Sequence, residues 1–162
     1  MGDMLVKLYE LPDAATAMAR IRAAGYDIRR PLPPERRAVV RWVESHFGER
    51  WAGEAETAFC RVPASCHVAV GRAGNICGFA CHDVTFRGFF GPAGVAQELR
   101  GQGLGTALLL RALHSLAEAG YAYAVIGGAS HEDFYAKAVG AVPVPGSDPG
   151  PYGVRTFCPG GR

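Results

Sequence analysis

A mixed α/β (α+β) sheet with helices on both faces is the architecture this sequence predicts, and three stretches carry that expectation. From Gly103 to Glu118, apolar residues recur every four positions (Leu104, Leu108, Ala112, Leu116), the stripe of an amphipathic helix. A strand-like run, Phe89–Ala96, precedes that helix, and Tyr121–Gly127, almost without polar residues, follows it as a buried strand. The three form a β-helix-β crossover. Upstream, Cys66–Val70 and Ile76–Val84 flank a Gly71–Asn75 turn as a hairpin.

The remaining elements follow from local signals. Met4–Tyr9 reads as a first strand, and Pro12-Asp13 opens an Ala-rich helix that stops before Gly25. After a Pro-rich connector, Val39, Trp42, Val43 and Phe47 fall at helical spacing within Glu35–Phe47, and a short helix over Trp51–Phe59 comes next. On the long helix Arg111, His114, Ser115 and Glu118 are expected on the wet face. Ser130 with Asp133 three residues on reads as a capping box for a helix through Val139, and the tail from Pro143 to Gly153 carries the last strand material.

The chain has 162 residues, 49% hydrophobic and 20% charged, so a single domain over 1–162 with its own core is expected. A formal net charge of +2 is too mild to announce a nucleic-acid binder. No apolar stretch reaches 18 residues, and the start lacks the charged and apolar regions of a signal peptide, so a cytoplasmic protein without a membrane partner is expected. The five cysteines are odd in number and show no CxxC spacing, so they read as reduced packing residues and no metal site is expected. Cys77 and Cys81, four apart in a strand, are expected on one face.

Chemistry concentrates in Gly94–Thr106. This segment leaves a strand, passes glycines at 101, 103 and 105, and enters the long helix. Glycines admit close approach of a ligand to the backbone, and the first amides of a helix lack internal partners and sit at the positive end of its dipole. Arg100 to Thr106 therefore reads as a phosphate or pyrophosphate cradle. It is not a P-loop, because no Lys-Ser or Lys-Thr follows the glycines. The GxGxxG fingerprint fails too, since Thr106 and Leu108 stand where a third glycine belongs.

Arg100-Gly101-Gln102-Gly103-Leu104-Gly105 resembles motif A of the GNAT acyltransferases, (Gln/Arg)-x-x-Gly-x-(Gly/Ala). Phe134-Tyr135-Ala136-Lys137-Ala138-Val139-Gly140-Ala141 resembles that family's motif B, and the resemblance covers about residues 88–141. It implies a mostly antiparallel sheet whose fourth and fifth strands splay apart to hold acetyl-CoA. The strand ending at Val95 would pair with the pantetheine arm, and a backbone amide near Val95 or Ala96 would hold the oxyanion. Arg100, Gly101, Gln102, Gly103, Leu104, Gly105 and Thr106 would hold the pyrophosphate. Tyr135 would stand beside the CoA sulfur as a proton donor, suited by an ordinary pKa near 10.

The implied activity is acetyl transfer from acetyl-CoA to an amine by direct attack in a ternary complex, with a small-molecule amine as acceptor. Alternatives are a non-catalytic acyl-CoA-binding regulatory module, a toxin-type enzyme acting on aminoacyl-tRNA, or another nucleotide binder. Homodimers occur in the family. The chain departs from members with a glutamate on the fifth strand, which Tyr121–Gly127 lacks; Glu98, His82, Asp83 and His131 remain as candidate bases, with His82-Asp83 expected toward the acceptor side. Arg20, Arg22, Arg29, Arg30, Arg36, Arg37 and Arg41 form a basic segment that is either a solvated face or a surface for phosphate, an acidic substrate or RNA. Trp42 reads as core, and Trp51 is either packing or a pocket wall; the tail over 147–152 is either a rigid surface turn or a cap on the acceptor site, with Tyr152 or Ser147 donating to substrate.

Overall fold

The computed structural model describes residues 1–151. Seven strands, β1 (Met4–Lys7), β2 (Asp27–Arg29), β3 (Cys66–Val70), β4 (Ile76–His82), β5 (Phe89–Val95), β6 (Tyr123–Ile126) and β7 (Val142–Pro143), form one sheet in the order β2-β3-β4-β5-β6-β1-β7. All neighbours are antiparallel except β5 and β6. Among the described residues five helices flank it: α1 (Ala15–Ala23), α2 (Arg36–Phe47), α3 (Glu49–Thr57), α4 (Leu104–Glu118) and α5 (Glu132–Val139).

Two apolar layers sandwich the sheet. On one face α4 lies along the strands with α1 and α5 beside it, burying Leu104, Leu108, Leu113 and Leu116 with Ile21, Ala80, Phe90 and Val139. On the other, α2 and α3 cover Val68, Phe79 and Cys81 with Val39, Val43 and Ala55. The Leu104-Leu108-Ala112-Leu116 stripe faces the sheet, as its period requires.

Ser115 is not on the wet face: it is 2% exposed. Position 115 lies seven residues, nearly two full turns, past Leu108, and so belongs to the buried stripe. Cys77 and Cys81 face opposite sides, one in each layer. The ladder steps from Ala69↔Gly78 to Val70↔Ile76, so Cys77 is the extra residue of a bulge and is turned over. The helix after β6 starts at Glu132 with His131 as N-cap and no side-chain cap, rather than from a Ser130 box. β2 has three residues, two of them charged and exposed, too short for any alternation to show. The third helix starts two residues before Trp51 and runs into a 3-10 turn over Ala58–Cys60.

The first strand takes an unusual place. β1 lies between β6 and β7, with Met4 opposite both Ile126 and Pro143. The turn after β7 locks onto it: Ser147 Oγ accepts the Asp3 N–H at 2.7 Å and donates to the Val144 carbonyl at 2.7 Å. Ser147 thus secures β1, and Tyr152 lies outside the described residues. Among the described residues no helix is long and apolar enough to cross a membrane.

Candidate active site

β5 leaves the sheet at Val95, makes a 3-10 turn over Gln97–Leu99, and enters α4 through Arg100–Gly103. Gly101 and Gly103 have φ of 78° and 92°, the left-handed region that favours glycine, so these two turn the chain into the helix. The first bond to the loop is Ala107 N–H to the Gly103 carbonyl at 3.1 Å. The amides of Leu104, Gly105 and Thr106 find no acceptor among the described residues. Gly105 has helical backbone, and a Cβ there would meet only Val95 Cγ2 at 3.9 Å and Phe134 Cζ at 4.0 Å. Packing does not demand a glycine at 105; an open surface against unpaired amides fits a phosphate group.

The sheet forks beside this loop. β5 and β6 pair only through Phe89↔Val125 and Phe90↔Ile126. Beyond that point β6 ends, while β5 continues to Val95 against β4 alone. Ala96 donates its N–H to the Cys77 carbonyl at 3.0 Å, and its own carbonyl takes the Leu99 N–H at 2.9 Å. Antiparallel alternation then turns the Val95 amide away from β4 and into the fork. Val95 and Ala96 are therefore not equivalent: only Val95 presents main chain to the gap, and its carbonyl receives Arg100 Nε at 3.4 Å.

Tyr135 stands at the closed end of the fork. Its ring packs edge-on against Phe90, centroids 6.3 Å apart, and against Phe134 at 5.1 Å. Burial pushes its phenol above the ordinary value of 10, so it keeps its proton at neutral pH.

The opposite face of β5 is covered by aromatic side chains. The Phe47 ring lies over Gly94, so close that a Cβ there would clash with it. Trp51 stacks on Phe47 at 5.1 Å and is 36% exposed; Trp42, half-buried, packs edge-on against Phe79. One carboxylate here escaped the sequence reading. Glu54 on α3 accepts the Thr85 hydroxyl and acts electrostatically on buried Cys81. Cys81 lies on β4 where the ladder steps from Ala80↔Ala93 to His82↔Phe90, opposite the bulge at Gly91–Pro92. Glu54 thus stands over the bulged part of β5. Nothing local distinguishes it from the neighbouring Glu49 and Glu56; its position comes from how α3 packs.

The candidate bases are scattered. Glu98 and His131 are exposed on a turn and at a helix start. Asp83 accepts the Gly88 N–H at 2.6 Å and pairs with Arg61 at 3.3 Å. His82 turns to the α4 side, not toward α2 and α3: its ring stacks 6.1 Å from that of His67, whose Nε2 is 3.0 Å from Ser115 Oγ. Both imidazole nitrogens of His82 and Nδ1 of His67 are buried without a hydrogen-bond partner among the described residues.

Burial, reinforced by the nearby Arg30 guanidinium, holds His67 down at about 3 and His82 at about 4. A histidine with a depressed folded pKa binds fewer protons folded than unfolded, so its contribution is complete above about 6.5 and is lost as pH falls toward the folded value. The melting temperature should therefore fall steadily from pH 6.5 to 4. In His82→Leu, which leaves no imidazole to protonate at that position, calorimetry should show a shallower fall; an equal slope would exclude His82 as a cause.

The structure thus places a Gly-rich helix start at the mouth of a forked mixed sheet in an α/β fold. Residues 36–141 match the acetyltransferase (GNAT) family, and the chain belongs to that family. Its fold is shared with a GCN5-related glucosamine N-acetyltransferase region of a fungal multi-domain GH3 β-N-acetylglucosaminidase (17% identity, TM-score 0.73, 88% of this chain and 19% of that one). It is shared also with a GCN5-related N-acetyltransferase from Sphaerobacter thermophilus (23%, 0.68, 88% and 48%) and a tandem GNAT protein of the clavulanic acid biosynthesis pathway (22%, 0.55, 88% and 49%). The chain thus spans less than half the length of each. No curated protein matches it in sequence.

Proposed function

We propose that the protein transfers an acetyl group from acetyl-CoA to the amine of a small molecule, by direct attack within a ternary complex. The observation that carries this reading is the fork: strand pairing stops at Phe90, Val95 turns its backbone into the gap, and the Gly101–Thr106 amides lie at its mouth. In that arrangement the Val95 amide pairs with the pantetheine arm, and the Leu104–Thr106 amides with Arg100 hold the pyrophosphate. Acetyl-CoA supplies the activated acyl group as a thioester. Tyr135 keeps a proton available for the sulfur at the closed end of the fork. The acceptor approaches from the α2/α3 face, along Trp51 and Phe47, and Glu54 takes the proton its ammonium must lose.

The test is thermal melting with acetyl-CoA, CoA, NAD and ATP in parallel. A ligand at 100 times its dissociation constant adds about 2.7 kcal/mol, a rise of roughly 5–10 °C at this size. Acetyl-CoA and CoA should raise the melting point while NAD and ATP leave it in place. No rise with millimolar CoA would remove the reading. If CoA binds but no amine consumes acetyl-CoA, a non-catalytic acyl-CoA-binding module takes its place.

A further inference from the structure

Trp51 and Glu54 stand three residues apart on α3 and are therefore neighbours on one side of that helix. Both lie over the face of β4 that α2 and α3 cover. Trp51 sits edge-on to Phe79, centroids 6.3 Å apart, and Glu54 acts on Cys81, two residues further along the same strand face. Alternate residues of a strand are about 7 Å apart, and side chains three apart on a helix start about 5–6 Å from each other. The indole and the carboxylate are thus held side by side, at about the span of one small ring and its substituent.

Each of the two has something left unsatisfied. One face of the Trp51 ring stacks on Phe47, 26° from parallel, and Phe47 in turn covers Gly94 on the free half of β5. With one face and one edge taken and 36% of the residue still exposed, the far face of the indole is open. Glu54 is half-buried, and its hydrogen-bond partner is the Thr85 hydroxyl. Among the described residues no cation lies within ion-pair distance of it, whereas Glu56, two residues on, pairs with Arg36 at 2.6 Å. A carboxylate drawn partly out of water without a counter-ion favours a cation beside it.

We propose that the acceptor is a monoamine carried on a ring, with the ring laid flat on Trp51 and the ammonium at Glu54. This rests on the acetyl-transfer reading and names the substrate class of its acceptor site. A rigid ring covers the open indole face with little loss of conformational entropy, whereas a flexible chain covers less of it and gives up more rotamer freedom. One uncompensated carboxylate takes one positive charge. A polyamine finds no second partner nearby, because Asp83, just past the end of β4, is already held by Arg61 at 3.3 Å and the Gly88 N–H at 2.6 Å.

Steady-state acetylation, read as CoA thiol release at saturating acetyl-CoA, tests this with two matched pairs: cyclohexylamine against n-hexylamine, and a cyclic amino sugar against its open-chain amino alditol. In the wild type at least one ring amine should exceed its open-chain partner about tenfold in kcat/KM. Trp51→Ala should raise KM for that ring amine about tenfold and leave the open-chain KM within about twofold, which erases the preference. Trp51→Phe and the surface control Tyr9→Ala should keep most of it. Acetyl-CoA affinity, measured by calorimetry, should be unchanged in all three variants, which separates loss of the platform from misfolding. Open-chain amines turned over as well as their ring partners in both pairs would overturn the inference, and so would a ring preference that survives Trp51→Ala. Acetyl-CoA binding with no turnover of any of these amines would also overturn it while leaving the donor site in place. Failure of the wild type to bind acetyl-CoA would overturn the acetyl-transfer reading itself.

Discussion

Gly105→Asp should bind CoA on the order of 10²–10³-fold more weakly than wild type while melting within a few degrees of it. The new carboxylate would stand among the amides of the first turn of α4, where the proposed function puts the pyrophosphate. Two like charges about 4 Å apart repel by about 4 kcal/mol at the effective dielectric of a partly exposed site. Protein packing gives no competing reason for the loss, since beyond its own turn of helix a Cβ at 105 would meet only Val95 Cγ2 at 3.9 Å and Phe134 Cζ at 4.0 Å. Gly105→Ala sharpens the test. It should match or exceed wild-type stability, because alanine favours a helix interior over glycine by roughly 0.5–1 kcal/mol, and it should bind CoA close to wild type, since the motif takes either glycine or alanine here; the loss in Gly105→Asp then belongs to the charge. Gly103 is a poorer probe, because its φ of 92° strains any side chain. Unchanged CoA affinity in Gly105→Asp, measured by calorimetry, would remove the cradle.

Tyr135→Phe should leave acetyl-CoA affinity within about twofold and lower kcat by about 10²–10⁴, the usual worth of a positioned proton donor. The ring contacts with Phe90 and Phe134 survive the change, so a purely structural tyrosine would show no such loss. Glu54→Gln, assayed by CoA thiol release with an amine that supports turnover, should also lower kcat at neutral pH. Part of its rate should return as pH rises, because the amine is then already neutral and needs no base. Tyr135→Phe should show no such recovery. Equal turnover in Tyr135→Phe, or a Glu54→Gln deficit that ignores pH, would return the respective residue to a packing role.

The parts of this molecule readable from the chain are those whose physics is local. Gly101 and Gly103 announce a turn into a helix because few other residues take positive φ, and the stripe from Leu104 to Leu116 tells the next element which side to bury. The strand pairing of β5 with β6 follows from the crossover between them. What could not be read depends on distant packing. The spacing of Ser115 from Leu108 already puts it on the buried stripe; what only distant packing supplies is its partner, His67 on β3. Glu54 becomes significant only because α3 lies over Cys81 and the β5 bulge. The place of β1 is the clearest case: its alternation says strand and says nothing of which partner, and its partners lie at the far end of the described chain.

That last placement has a consequence for assembly in the cell. β1 is made before β6, so Met4 and Val6, buried in the finished sheet, lack their β6 partner until Tyr123–Ile126 has left the ribosome. The β2–β5 meander and the helices over it can collapse earlier through short-range contacts, whereas the β1–β6 pairing closes one of the longest loops in the fold. One prong of the fork is therefore completed only after nearly all the described chain has been translated. A nascent chain halted before Tyr123 holds the glycine loop and most of the core, and still has only one side of the fork.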